Sequence, residues 1–211
     1  MTAVKKVGRP PNQERIAQRK AEILETATSV FADNGYRNTD VQTIADAIGV
    51  GKGTVYRYFP SKQELFFAAV DRGMTNFLEE LANEADKHTE PLDRLAAVVH
   101  AYLNYFQVHP DLVELLIQER AEFRDREKAS YFLYCDERVG RWHDAFRRIL
   151  ATGQCRDLLP DTMFDVISNL LYGTMFTNFF TGNEKSYEAQ AKEILDIFYN
   201  GILKKERPVA E

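Results

Sequence analysis

Apolar residues recur along this 211-residue chain three and four positions apart, as they do on the buried face of a helix. No run alternates apolar with polar residues, which is the pattern of a half-exposed strand. The seven prolines agree, because each lies between the periodic segments or near a terminus and none interrupts an apolar stripe. Hydrophobic residues make up 45% of the chain, enough for a packed core, so the sequence predicts an all-α fold.

The periodic segments divide the chain into a series of predicted helices. They cover residues 13–34, 39 to the glycine turn at 49–51, 52–59, 62–86, 91–108, 111–123, a segment ending near 150, 161–180 and 186–203. Residues 124–129 are charged, and they form either a loop or the first part of the helix that ends near residue 150.

Local signals mark several helix ends. Gly35 is expected to end the first helix in a left-handed conformation. Thr39 with Gln42, and Ser61 with Glu64, have the spacing of capping boxes, in which the first side chain accepts a hydrogen bond from the backbone N–H three residues on.

Residues 39–59 are predicted to form a helix, a tight glycine turn and a second short helix, which is a helix-turn-helix. In this motif the second helix enters the DNA major groove by its N-terminal residues. Lys52 can reach a guanine edge or a phosphate, and Thr54 can meet a phosphate or a thymine methyl group. Gly53 has no side chain, so the backbone can approach the duplex closely.

Other side chains around the motif can bind the phosphate backbone. The hydroxyls of Tyr56 and Tyr58 can donate to phosphates. Thr39, at a predicted helix start, would hold a phosphate on free backbone N–H groups, and Lys62 adds a cation at the start of the next helix.

Basic charge is concentrated at the front of the chain. Residues 1–72 hold eleven Lys and Arg against eight Asp and Glu, a net charge of +3, whereas residues 73–211 hold sixteen against twenty-four, a net charge of -8. The N-terminal arm, residues 1–12, carries Lys5, Lys6 and Arg9 and no acid. Arg9 lies in a Gly-Arg-Pro segment like those that insert an arginine into the minor groove, although a disordered basic tail has the same composition.

The motif residues, taken together, resemble the TetR/AcrR family of bacterial helix-turn-helix transcriptional regulators. The resemblance covers the first third of the chain and rests on residues at fixed spacing: Ile23, Leu24, Ala27, Phe31, Gly35, Thr39, Ile44, Ala45, Gly49, Val50, Gly53, Thr54, Val55, Tyr56, Tyr58, Phe59, Ser61, Lys62, Leu65 and Phe66. The sequence departs from the family pattern at Gly51, where a serine is common, and at Gln63, where a glutamate is common.

The resemblance implies a role for each matched position. Lys52 and Thr54 would face base edges. The phosphate backbone would be faced by four residues: Thr39, Tyr56, Tyr58 and Lys62. Arg57 lies where family members vary, and it would read a base or lie on the flank. The resemblance also implies an N-terminal three-helix DNA-binding domain over residues 13–62, and a C-terminal helical ligand-binding and dimerisation bundle over residues 63–211.

The C-terminal part is rich in aromatic residues, from which we expect a pocket for a small apolar or aromatic effector. The predicted pocket residues are Tyr102, Phe106, Phe123, Phe132, Trp142, His143, Phe146, Tyr172 and Phe176. The segment 161–180 is apolar nearly all round, as needed to bury one side internally and another against a partner. The predicted homodimer contacts are Phe164, Ile167, Leu171, Thr174, Asn178, Ile194 and Phe198.

The remaining features narrow the class of protein. Cys135 and Cys155 form no CxxC pair, and the four histidines have no metal-ligand spacing, so we expect no cofactor, no metal and a reducing, cytoplasmic setting. No membrane span and no secretory signal are expected. The sequence favours a ligand-responsive repressor that binds a palindromic operator as a dimer. The alternatives are a regulator without a ligand, whose C-terminal domain only dimerises or docks a protein, an activator, and an all-helical enzyme or carrier.

Overall fold

The computed structural model describes residues 13–137, 139–182 and 185–202. Within those ranges it contains ten α-helices and no strand, which confirms the all-α prediction. The helices are α1 (Gln13–Asn34), α2 (Val41–Ala47), α3 (Lys52–Tyr58), α4 (Lys62–Asp86), α5 (Pro91–Val108), α6 (Pro110–Glu122), α7 (Ser130–Asp136), α8 (Val139–Ala151), α9 (Pro160–Thr181) and α10 (Tyr187–Ile202).

The chain divides into two compact units, the first ending at Ala69 and the second beginning at Val70. The division falls inside α4, so this helix contributes its first turns to one unit and the rest to the other. The sequence-based boundaries at residues 12 and 62 stay predictions. The predicted arm over residues 1–12 lies outside the described residues.

The first unit is built on a small apolar core. Its fully buried side chains come from one face of each helix: Ile23, Ala27, Phe31, Ile44, Ala45, Val55 and Phe66. Phe31 and Phe66 pack edge to face with ring centroids 5.2 Å apart, a favoured aromatic geometry. Gly35 ends α1 with φ of 78°, as predicted. This left-handed conformation is strained for residues that carry a Cβ atom, and glycine has none.

The predicted start of α2 at Thr39 is wrong. The helix begins at Val41, and its N-cap is Asp40, whose carboxylate accepts from the backbone N–H of Gln42 at 2.9 Å. Thr39 is buried instead, and its hydroxyl donates to the carbonyl of Gly35 at 2.8 Å. The second box is confirmed in its main bond, since the Ser61 hydroxyl accepts from the Glu64 N–H at 3.1 Å.

The second unit is arranged around α5, which contacts α6, α8, α9 and α10. Eight of its residues are buried: Leu95, Val98, Val99, Ala101, Tyr102, Leu103, Tyr105 and Phe106. The part of α4 in this unit packs Phe77 against Tyr102 and Phe106, with ring centroids 5.3 and 4.7 Å apart. The Tyr105 hydroxyl donates to the Gly73 carbonyl at 2.9 Å.

The single helix predicted to end near residue 150 is wrong, because the structure has two helices there, α7 and α8. The apolar positions keep helical spacing on both sides of the break, so the spacing alone does not reveal it. Residues 124–129 form a loop, which settles the alternative left open by the sequence. The buried carboxylate of Glu119 holds the end of this loop, since its Oε1 accepts from Ser130 N and Oγ at 2.9 Å each and from Arg126 Nη1 at 2.6 Å.

Candidate nucleic-acid interface and effector cavities

The turn between α2 and α3 sets the direction of α3. Gly49 has φ of 66°, and the Val50 N–H returns to the carbonyl of Ala45 at 2.9 Å. Gly51 then caps α3 with extended backbone. Val55 is fully buried and Phe59 is 8% exposed, so α3 is anchored by one face and presents the rest to solvent.

The predicted DNA-contact residues of α3 lie on its outward surface. Gly53, Tyr56 and Arg57 are exposed, and Lys52, Thr54 and Tyr58 are partly exposed. A Cβ built on Gly53 would meet no atom within 4 Å, so nothing within the described chain requires a glycine there. An outside surface that approaches the backbone closely would require one. Arg9, the ninth predicted contact, lies outside the described residues.

An acid that the sequence analysis missed lies beside Lys52. The Lys52 Nζ is 2.6 Å from the Asp40 Oδ1, which joins the start of α3 to the cap of α2. The hydrogen bond from the Gln42 N–H, and then the one from the Lys52 ammonium, lower the pKa of Asp40. The Asp40 carboxylate in turn raises the pKa of Lys52. The interface therefore contains a carboxylate where a phosphate was expected, and the Gln42 N–H of α2 is already satisfied by it.

Lys62 is engaged within the first unit. Its ammonium donates to three loop carbonyls, at 2.8 Å to Tyr36, 3.2 Å to Arg37 and 3.0 Å to Thr39, and it lies 4.7 Å from the centre of the Tyr36 ring. An ammonium has three protons, so these bonds use its donor capacity. The phosphate contact of Lys62 stays a prediction, and the geometry gives this side chain a structural role. Thr39, with its side chain buried, presents no hydroxyl to a duplex.

Two exposed polar residues of α2 were not among the predicted contacts. Gln42 and Thr43 lie on the outward side of this helix, while Val41, Ile44 and Ala45 are buried. The helical spacing of the buried positions was the signal that could have identified them. Gln42 is oriented by a hydrogen bond from its Nε2 to Asp46 Oδ1 at 2.6 Å.

Most of the predicted pocket residues line three neighbouring cavities in the second unit. The largest, of about 660 Å³, lies between α6, α7 and α9 and is called the α6–α9 cavity. Its lining residues are Leu116, Ile117, Arg120, Ala121, Arg124, Ala129, Tyr131, Phe132, Tyr172 and Phe176. Three of these were predicted: Phe132, Tyr172 and Phe176.

The central cavity, of about 230 Å³, shares one wall with the α6–α9 cavity. That wall consists of Tyr131, Phe132 and Tyr172, whose ring centroids lie 4.8 to 5.3 Å apart. Tyr102 and Trp142, both predicted, line the central cavity as well. Trp142 also lines the third cavity, the α8 cavity of about 360 Å³, together with the predicted Phe146.

The remaining predicted pocket residues lie apart from these three cavities. Phe106 lines a smaller pocket of about 200 Å³ with Asn178. Phe123 and His143 line none of the four. His143 packs edge to face on Phe164 and lies 3.4 Å from the Asp161 carboxylate. Helical spacing places residues on a face, but it cannot tell which of them meet across a cavity.

Buried hydroxyls provide the polar groups of the central cavity. The hydroxyls of Tyr102 and Tyr131 are 2.8 Å apart, and burial raises the pKa of both. Burial also raises the pKa of the Cys135 thiol to about 11. These groups stay neutral near pH 7, so they offer hydrogen bonds and no charge to a bound molecule.

The predicted dimer contacts need correction. Ile167, Leu171 and Phe198 are 3%, 5% and 4% exposed, so they pack inside the protomer and cannot reach a partner. The amides of Asn178 and Gln190 bond to each other at 2.8 and 2.9 Å, joining α9 to α10. Phe164, Thr174 and Ile194 are partly exposed.

The apolar side chains that α9 and α10 do expose are different ones. On α9 they are Val166, Leu170 and Phe180, and on α10 Ile197 is 69% exposed. Because α9 is apolar on several faces, its sequence pattern could not show which stripe is internal.

The described residues contain neither a cluster of metal ligands nor a membrane-spanning helix. No group of three or more His, Cys, Asp or Glu side chains there could hold a metal ion. None of the described helices is long and apolar enough to cross a membrane.

Known proteins share both the motif and the fold. The family model of bacterial regulatory proteins, tetR family, matches residues 23–69. The HTH-type transcriptional repressor KstR2 of Mycobacterium tuberculosis is 26% identical over 198 residues, which is 90% of this chain and 96% of that protein. The solved structure of KstR2 has a TM-score of 0.66 at 24% identity and covers 89% of this chain and 96% of its own.

A second solved structure extends the comparison of the fold. It is a transcriptional regulator from Saccharomonospora viridis in complex with choline, with a TM-score of 0.77 at 21% identity, covering 90% of this chain and all of that one. The helix-turn-helix on α2 and α3 lies within the residues that the tetR family model matches, and the chain is similar to the KstR2 repressor over nearly its whole length.

Proposed function

We propose that the protein is a transcriptional repressor that binds a two-fold symmetric operator as a homodimer. The observation that carries the proposal is the outward surface of α3, where Lys52, Thr54, Tyr56 and Arg57 surround the open backbone of Gly53. Val55 and Phe59 anchor this helix, so its N-terminal residues are presented on a rigid element.

Each contact has a distinct part in this proposal. Lys52 and Thr54 read base edges, Tyr56 and Tyr58 donate to phosphates, and Arg57 reads a base or binds the flank. The two copies of α3 in the dimer would meet successive major grooves about 34–36 Å apart. The arm that contains Arg9 would follow the minor groove.

A small apolar or aromatic effector would control DNA binding from the cavities of the second unit. Related proteins support the response to a small molecule, though not its chemical class, since one neighbour is in complex with choline and KstR2 is named a ketosteroid transcriptional regulator. Control requires that the effector bind one arrangement of the dimer more tightly than the other, because equal affinity shifts nothing.

The DNA part is tested by selecting binding sites from random duplexes. We expect a two-fold symmetric site, and Lys52→Ala or Thr54→Ala should lose sequence preference by about 1–3 kcal/mol at one position per half-site. Lys20→Ala, which removes an exposed cation on α1, is the control and should keep the preference. A site without two-fold symmetry, or variants that keep full preference, would overturn the proposal.

The effector part is tested on the assembled protein–operator complex. Candidate molecules are first ranked by the shift that they cause in the melting temperature, then added to the complex while DNA release is followed by fluorescence anisotropy. Release supports the ligand-responsive repressor. Binding without any change in operator affinity would instead favour the alternative, in which the second unit only dimerises or docks a protein.

A further inference from the structure

The α6–α9 cavity carries charge of one sign only. Its wall is apolar and aromatic, and the charged residues that line it are Arg120 and Arg124. No Asp or Glu lines it, although residues 73–211 hold twenty-four acids against sixteen basic residues. A cavity with this lining favours a ligand that combines an apolar body with negative charge.

The two arginines have no acidic partner in the described part of the chain. Arg120 lies in the last turn of α6, and Arg124 follows the helix and donates from Nε to the Ala121 carbonyl at 3.3 Å. The contrast is Arg126, whose guanidinium is paired with the buried Glu119 at 2.6 Å. Two guanidinium groups four positions apart, at the edge of one apolar cavity, can together bind one carboxylate or phosphate.

The apolar part of such a ligand has a surface to cover. Phe132 is 40% exposed in the cavity wall, and it stands beside Tyr172 and Phe176. The volume of about 660 Å³ lies within the range of small-molecule sites, which is about 300–1,000 Å³. The neighbouring central cavity has the opposite character, because its charged lining residues are Asp136 and Asp165. A negative group is therefore favoured at the arginine edge and disfavoured further inside.

We propose that the effector of this protein is an amphipathic organic anion that binds in the α6–α9 cavity. Its negative group pairs with Arg120 and Arg124, and its apolar body covers Phe132, Tyr172 and Phe176. This inference rests on the proposed function in one respect, namely that the second unit binds an effector.

The test compares three probes with the same ten-carbon chain and different head groups: decanoate, 1-decanol and decyltrimethylammonium. Affinity is measured by calorimetry on the full-length protein, below the concentration at which each probe aggregates. We expect decanoate to bind most tightly. Arg120→Gln/Arg124→Gln should weaken decanoate by about tenfold or more and leave 1-decanol within about twofold, because only the anion loses charge-assisted hydrogen bonds.

The matched control removes two positive charges from the α8 cavity instead. Arg141 and Arg148 are exposed residues that line the α8 cavity, so Arg141→Gln/Arg148→Gln should leave decanoate affinity unchanged. Ala121→Trp, which fills the α6–α9 cavity, should weaken both decanoate and 1-decanol. Each variant is checked for an unchanged melting temperature.

Three outcomes would overturn the inference. They are tighter binding of the ammonium probe, equal loss of decanoate in the control variant, and no binding of any probe while other molecules release the operator. The last result would leave the proposed function intact. A protein that binds decanoate as expected but never binds duplex DNA would instead contradict the proposed function and leave the cavity assignment standing.

Discussion

At the scale of single residues, the proposed DNA-contact surface contains both a cation, Lys52, and an acid beside it, Asp40. Lys52 is the cation best placed to reach bases from α3, yet in the free protein its ammonium is 2.6 Å from the Asp40 carboxylate. Both side chains remain in contact with solvent, with exposed fractions of 36% for Lys52 and 62% for Asp40, so the pair adds little to stability. Its consequence concerns recognition, because Asp40 both orients Lys52 and repels phosphates.

Replacing Asp40 by Asn tests this role. Asn is as good an N-cap as Asp, so α2 should be retained while the negative charge is lost. We expect tighter binding to random duplexes, a salt dependence steeper by about one unit, and a smaller ratio of specific to non-specific affinity, because Lys52 is freed to bind any phosphate. Fluorescence anisotropy across a salt series measures all three. Asp33→Asn, an exposed change on α1, should alter none of them, and an unchanged salt slope for Asp40→Asn would contradict the argument.

Lys62 is expected to contribute to the stability of the first unit, whereas Asp40 is expected to affect DNA binding. Its three bonds to the carbonyls of Tyr36, Arg37 and Thr39 hold the loop between α1 and α2. Lys62→Met keeps the length of the side chain and should lower the free energy of unfolding by about 1–3 kcal/mol, because the carbonyls lose their donor. Chemical denaturation followed by circular dichroism measures it, with Lys20→Met as the control. Full stability with a reduced salt slope for DNA would show that Lys62 binds phosphate instead.

At the scale of helices, the sequence pattern predicted some elements well and failed at others for identifiable reasons. The end of α1 and the starts of α4 and α5 agree with the prediction, because these ends are marked by a glycine, a capping serine and a proline. The start of α2 was misplaced because Thr39 and Asp40 can both cap a helix, and only tertiary packing buries the threonine. The break between α7 and α8 left no mark in the apolar spacing.

The candidate sites also contain some features that the sequence predicted and others that it could not. The outward position of α3 residues followed from the burial of Val55 and Phe59, which spacing predicts. The Asp40–Lys52 pair and the cavity walls depend on residues far apart in sequence, and spacing carries no information about them. On α9, Ile167 and Val166 are both apolar, yet one is 3% and the other 48% exposed, which only the fold decides.

The loop between α6 and α7 depends on one buried acid. Glu119 is 1% exposed, and its Oε1 accepts all three of its hydrogen bonds. Glu119→Ala should lower the free energy of unfolding by about 2–4 kcal/mol, because the Ser130 N–H and the Arg126 guanidinium lose their acceptor. Glu119→Gln keeps an acceptor oxygen and should cost less.

Hydrogen exchange provides the second measurement on these two variants. The loss should be local, with faster amide exchange at the start of α7 than in α5. Equal stability of the alanine variant and the native protein would show that water replaces the carboxylate without cost.

At the scale of the whole molecule, the proposed dimer must be built from what the protomer leaves exposed. Leu170 of α9 and Ile197 of α10 are 40% and 69% exposed, large values for apolar side chains on helices joined by the Asn178–Gln190 pair. Because large exposed apolar patches mark interaction sites, we propose that these two side chains belong to the dimer surface.

Introducing a charge at these two positions tests dimer assembly separately from folding. Leu170→Glu/Ile197→Glu should convert a dimer into a folded monomer in sedimentation velocity, and affinity for a two-half-site operator should fall by at least about a hundredfold. Ile167→Glu, on the buried side of α9, should unfold the second unit instead. A double variant that sediments as the native protein does would exclude this surface from the dimer.

Three aromatic residues, Tyr131, Phe132 and Tyr172, line both the α6–α9 cavity and the central cavity. Replacing one of these rings by a smaller side chain would widen the connection between the two cavities without changing the apolar pattern that forms the helices. Descendants of this protein could therefore enlarge or shrink the chamber step by step, acquiring responses to new chemicals without first solving a new folding problem.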